Sequence, residues 1–145
     1  MAGHSYVYTI YVAADAGRVW EALTSNAMLQ RYWDAEWQID SEWTTGAAIV
    51  FRTGGAVFSQ GEVLESVPDR RLVYSWPNPP EEQGDAPPEH LAWEIETAGP
   101  GTAKLTLTHT NLTAENHAGV SRGWPAILSS LKTLLETGSP LVFAK

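Results

Sequence analysis

Four histidines, seventeen acidic residues and no cysteine limit the chemistry open to this 145-residue chain. The absence of cysteine excludes disulfides, thiolate catalysis and cysteine-based zinc sites together. His109 is the best-placed titratable group. In Leu105-Thr106-Leu107-Thr108-His109 the alternation of a strand puts it on the side of Leu105 and Leu107, facing inward. A histidine beside an apolar interior can move a proton near neutral pH, or orient a ligand through one ring nitrogen. Proton transfer needs a partner acid or base, and the sequence places none, so no catalytic residue is assigned. His4, His90 and His117 show no metal-ligand spacing with one another or with His109, and neither a metal nor a cofactor is expected. Asp34, Glu36, Asp40 and Glu42 would supply paired carboxylates, but their loop-and-strand setting makes solvent the expected neighbour. Gly54-Gly55 reads as a hairpin turn, since no GxxxxGK pattern follows it to cradle phosphate. No Ser-His-Asp order can be defended either.

The formal net charge of −8 argues against nucleic acid as a partner, because that binding rests on cations meeting phosphate. It argues equally against an anionic membrane surface. The N-terminal residues carry no signal-peptide pattern, and no stretch approaches the ~20 apolar residues of a membrane span, so a cytoplasmic protein is expected. With 43% hydrophobic and 18% charged residues the composition is globular, and the length fits one domain over residues 1–145. Seven tryptophans stand against two methionines. Indole is hard to bury completely and its N–H needs an acceptor, so several of these rings are expected to line a groove or cavity.

The elements that must position these residues follow from pattern. Tyr6 to Val12 is β-branched and aromatic, a strand. Asp15 caps a helix with Val19, Trp20 and Leu23 on one side, and Asn26 caps a second with Leu29, Tyr32 and Trp33. Strand-like segments follow at Glu36–Asp40, Ala47–Thr53, Phe58–Val67, with a bend or bulge at Gly61, and Arg71–Trp76. Pro77 to Glu89 holds five prolines and four acids and reads as a solvated loop or a ligand lid. His90–Thr97 and Ala103–Asn111 alternate as half-solvated strands. Trp124, Ile127, Leu128, Leu131, Leu134 and Leu135 then make one apolar stripe of a helix. Ser121 or Gly123 would start it, Pro125 would fall in its first turn, and Thr137-Gly138 and Pro140 would stop it.

The order strand, two short helices, antiparallel strands, long helix is the helix-grip arrangement, an α+β class with a curved antiparallel sheet around a C-terminal helix. The chain resembles the START/Bet v 1-like (SRPBCC) superfamily, in the branch named after the activator of heat-shock protein 90 ATPase. Ala16 to Thr24 with its Val19-Trp20 and Leu23-Thr24, Arg70 to Trp76, Leu105 to Thr110, and Gly123-Trp124-Pro125 through Gly138 carry the resemblance. It implies a cavity between sheet and helix that accepts small apolar ligands. A homodimer or a chaperone-related protein enters as a further possible partner. The family's name is not itself a function, because one fold hosts many activities.

Fold and aromatic excess together predict non-catalytic binding of a small, largely apolar molecule, as a carrier or sensor. Trp33, Trp37, Phe51, Tyr74, Trp76 and Trp93 would form the sheet-side wall, with Leu107 and His109 beside them. Trp124, Leu128 and Leu131 would form the helix side, and His109 with Tyr74 would orient the ligand. One alternative is general acid–base chemistry on an aromatic or polyketide-like substrate in the same cavity. The other is a module that binds a chaperone or regulator.

Overall fold

The computed structural model describes residues 4–76 and 89–142. Pro77 to Pro88 lie outside the described residues, so the loop-or-lid reading of that stretch is not addressed by the structure. Strand β1 (His4–Val12) turns Tyr6, Tyr8, Ile10 and Val12 inward, while Val7 and Tyr11 stay exposed on the other face. Helices α1 (Ala16–Thr24) and α2 (Asn26–Tyr32) follow. The strands β2 (Trp37–Ser41), β3 (Ala48–Thr53), β4 (Ala56–Val67), β5 (Arg71–Ser75), β6 (His90–Gly99) and β7 (Thr102–Leu112) complete one sheet. Its order is β1-β7-β6-β5-β4-β3-β2, and every neighbouring pair is antiparallel. Helix α3 (Ala114–Thr137) packs against β1, β7 and the two short helices. The helix-grip expectation is met.

Local chemistry explains the joints. Asp15 takes the position before α1, and Val19, Ala22 and Leu23 form the helix's buried face. Ser25, in extended backbone, ends α1 and caps α2 by accepting from the Met28 N–H. The expectation that Asn26 caps α2 is therefore corrected. Asn26 is the first helical residue, and its amide clasps β2 instead: Oδ1 accepts from Ile39 N at 2.8 Å and Nδ2 donates to Asp40 at 3.0 Å. Gly54 (φ 59°) and Gly55 (φ 84°) form the two-residue turn between paired Thr53 and Ala56, the left-handed backbone that a tight hairpin requires. Gly61 has a different reason. A Cβ there would run into Ser75 Oγ, so glycine permits β4 and β5 to approach at that point.

Helix α3 starts earlier than its sequence signals indicate. Thr113, not Ser121 or Gly123, is the cap, with Oγ1 accepting from Asn116 N at 3.0 Å. Pro125 consequently sits inside the helix, where it lacks the N–H of a continuous ladder. Packing overrides that local cost. Trp124, Leu128, Leu131, Leu134 and Leu135 are buried along one stripe, each apolar side chain contributing about 1.5–3 kcal/mol on the transfer scale. Gly138 (φ 89°) closes the helix in left-handed backbone, donating to Leu134 O. Arg31 then donates to Gly138 O, while Lys132 donates to Tyr11 O at 2.8 Å and Glu136 accepts from Ala13 N at 2.8 Å. These bonds hold α3 to α2 and to the end of β1. Among the described residues, no helix is long and apolar enough to cross a membrane.

Candidate ligand-binding site

Around Trp124 of α3 and the end of β5, aromatic rings drawn also from β2 and β3 run in unbroken contact. Trp33, just past α2, lies nearly parallel to Trp76 (8°) with centroids 5.8 Å apart, and meets Trp124 of α3 edge-on at 5.2 Å. Trp37 of β2 touches Trp33 and stacks on Phe51 of β3, each at 5.8 Å. Phe51 continues to Tyr74 at 6.2 Å, and Trp124 reaches Trp76 at 5.6 Å and Trp93 at 5.7 Å. Such offset and edge-on pairs add to their area burial. Phe51, Tyr74, Trp93 and Trp124 are buried, whereas Trp33, Trp37 and Trp76 are only half-buried. Phe58 of β4, 50% exposed, leans on Trp37 and extends the apolar surface to solvent.

A polar chain runs under one edge of the rings. Trp124 Nε1 donates to His109 Nδ1 at 3.1 Å, and His109 Nε2 meets Glu89 Oε1 at 2.8 Å. Asn116 Nδ2 donates to Glu89 Oε2 at 2.8 Å. Because the indole N–H can only donate, Nδ1 must be the bare nitrogen and Nε2 carries the proton to Glu89. Glu89 is 3% exposed and His109 fully buried. Trp76 N donates to Glu89 O at 2.8 Å, carrying the β5–β6 pairing one step beyond Ser75 and fixing Glu89 in strand geometry. Both ring nitrogens of His109 are thus engaged within the protein. To accept a proton from a bound molecule, His109 would first have to free its bare nitrogen, Nδ1, from Trp124.

Tyr74 faces Trp93, whose Nε1 donates to its hydroxyl oxygen at 3.2 Å. Burial holds the Tyr74 hydroxyl well above the ordinary tyrosine range against the lowering effect of that bond. Tyr32, whose hydroxyl donates to Ala22 O, is likewise raised by burial and then by Tyr74. Both hydroxyls stay neutral, Tyr32 donating and Tyr74 accepting.

The structure therefore brings Trp33, Trp37, Phe51, Tyr74, Trp76, Trp93, His109 and Trp124 into one connected cluster. Leu107, Leu128 and Leu131 are fully buried in the adjoining core. Sequence reasoning missed Glu89, Asn116 and Phe58. The proline-rich stretch predicts Glu89 to be one of the acids kept in water, and its burial corrects that. Its signal was available: Glu89 is in phase with Leu91, Trp93 and Ile95, all buried. Of the acidic cluster Asp34, Glu36 and Glu42 are exposed, whereas Asp40 is half-buried and held by Arg52 at 2.9 Å and by Asn26. Among the described residues no group of three or more histidine or acidic side chains is placed to hold a metal ion. An open hollow of about 320 Å³ lies elsewhere, lined by Val67, Arg70, Arg71, Glu94, Ile95 and Glu96, and touches none of the predicted residues.

Similarity to known proteins agrees with this architecture. The family model described as activator of Hsp90 ATPase homolog 1-like protein matches residues 13–136. No curated protein matches the chain significantly. The Aha1 dimer from Colwellia psychrerythraea superposes with a TM-score of 0.73 at 24% identity, covering 93% of this chain and 98% of that one. CalU16 from Micromonospora echinospora gives 0.73 at 22% identity, with 94% and 76% covered. An HSP90 activator from Plasmodium falciparum gives 0.73 at 18% identity, with 92% and 96% covered. At these identities the solved structures speak for the fold alone. The family match spans most of the sequence, and the chain belongs to the activator of Hsp90 ATPase homolog 1-like family.

Proposed function

We propose that the protein binds a small, largely apolar molecule at the half-buried end of the aromatic cluster, without transforming it. The observation that carries this reading is the incomplete burial of Trp33, Trp37 and Trp76 where they border fully buried rings, with exposed Phe58 at the rim. Exposed aromatic surface joined to an apolar interior is what ligand sites present, and it is costly to leave in water. Trp33 sits on a turn and not in a strand, so it is the ring that turns aside to admit a guest. A non-catalytic role is favoured by the closed chain Asn116–Glu89–His109–Trp124, which commits His109 to structure. Native mass spectrometry of the purified protein tests the reading. A co-purifying apolar molecule, released when Trp33 and Trp76 are replaced by alanine, is the expected result. Protein that carries nothing, and takes up no aromatic compound on addition, contradicts it.

A second reading, a regulator that docks on a chaperone, is favoured by the family's description and by the solved HSP90 activator of the same fold. Stimulation of the ATPase of an Hsp90-type chaperone by added protein would support it, and an unchanged rate would remove it.

A further inference from the structure

Buried polar atoms around the aromatic cluster are partnered with one exception. The indole N–H groups of Trp93 and Trp124 donate to Tyr74 and His109, and both carboxylate oxygens of Glu89 are engaged. Among the described residues, the sole buried side-chain nitrogen or oxygen without a partner is Trp37 Nε1. Native proteins pair such donors almost without exception, because a buried N–H that forgoes water without a substitute is destabilising. The atom lies at the half-buried end of the cluster, among Trp33, Phe51, Phe58 and Trp76.

We infer that the molecule bound there presents a neutral hydrogen-bond acceptor, a carbonyl or ether oxygen, to Trp37 Nε1. This rests on the reading of the cluster as a ligand site and narrows the class of ligand it takes. A pure hydrocarbon leaves the N–H unsatisfied. An anion satisfies it but loses its hydration among four uncharged rings, in a protein of net charge −8, and is rejected. A neutral bicyclic ketone or aryl ether meets both demands: flat apolar surface for the rings and one oxygen for the indole. Trp37 is thereby a specificity-determining residue, and Trp33 and Trp76 supply flat apolar surface beside it.

Two bicycles of nearly the same shape test this, 1-tetralone with a carbonyl and tetralin without one. Their dissociation constants are measured by tryptophan-fluorescence titration for the unaltered protein and for Trp37→Phe, which keeps an aromatic ring and removes the donor. Tetralone is expected to bind the unaltered protein about 3- to 10-fold more tightly than tetralin, the worth of one neutral hydrogen bond. That preference disappears in Trp37→Phe. The Trp37 Nε1–H resonance of the unaltered protein gives a second readout that needs no variant, moving downfield with tetralone and not with tetralin. Equal affinity for both bicycles, with an unmoved Trp37 resonance, overturns the inference and leaves the apolar-ligand reading standing. It would mean that the N–H is satisfied by the face of a neighbouring ring. Binding of neither bicycle overturns the ligand-site reading and the inference with it.

Discussion

Trp124 on α3 donates a hydrogen bond from its indole N–H to His109 Nδ1 on β7 across 3.1 Å, and that one bond fixes both the tautomer of the histidine and the seat of the helix. With Nδ1 accepting, Nε2–H points at Glu89 Oε1, and Glu89 in turn holds Asn116 of the first helical turn. Two turns of α3 are thereby tied to the sheet by buried groups. The geometry predicts a single neutral tautomer, protonated at Nε2. Long-range proton–nitrogen correlation spectra of the imidazole check this: His109 Nδ1 should show the shift of an unprotonated ring nitrogen. Two averaged nitrogens would contradict the assignment.

Removing one member of this chain should cost more than removing its core. His109→Leu strips Glu89 of one of its two side-chain donors and Trp124 Nε1 of its acceptor in a buried site, and is expected to lower stability by about 3 kcal/mol. The double variant Glu89→Leu with His109→Leu should be less destabilised than the sum of its single variants, because neither Glu89 nor His109 then faces a missing partner, although Trp124 and Asn116 still lose theirs. Urea unfolding of the four proteins gives the coupling, and simple additivity would show that the pair is not energetically joined.

Gly61→Ala is predicted to be destabilising by about 1–3 kcal/mol, although alanine is ordinarily harmless in an extended strand. The added methyl meets Ser75 Oγ, which itself accepts the Glu62 N–H at 3.0 Å. Ser75→Ala in the same chain should recover part of the loss. Thermal unfolding of the single and double variants decides it, and an unchanged Gly61→Ala protein would mean β4 and β5 are not so close.

Glu136 provides a pH-dependent contribution whose sign is fixed. The Lys132 ammonium above all, and then the Ala13 N–H, hold its carboxyl below the ordinary value of 4.5, against a smaller effect of burial. A lowered folded-state pKa contributes stability at pH values above the unfolded one, and loses it as acid protonates the folded carboxylate. For a partly exposed pair the contribution is no more than about 1 kcal/mol. Glu136→Gln should therefore be less stable than the unaltered protein at neutral pH, and the gap should close well below pH 4.5. A gap of the same size at both ends would refute the electrostatic account.

Much of this architecture is legible in the sequence. The alternation of Leu91, Trp93 and Ile95, the inward His109 and the leucine stripe of α3 depend on period alone, and tertiary packing preserves period. The start of α3 was not legible, because Gly119, Gly123 and Pro125 all discourage helix and drew the expected boundary toward them. The cap is Thr113, accepting from Asn116 N, and the Asn116–Glu89 and Trp124–His109 bonds stabilise what local propensity does not. Glu89 was obscured by its proline-rich neighbours. The unpartnered N–H of Trp37 follows from no pattern, since it depends on which atoms of separate strands fail to meet.

The central claim is that a guest sits against Trp33, Trp37 and Trp76. Intermolecular nuclear Overhauser effects between bound 1-tetralone and the protein's indole protons test it most directly. The account predicts contacts from the aromatic protons of tetralone to Trp33 and Trp76, and from the methylene protons beside its carbonyl to Trp37. Contacts confined to the exposed outer face of β1, around Val7 and Tyr11, would contradict it.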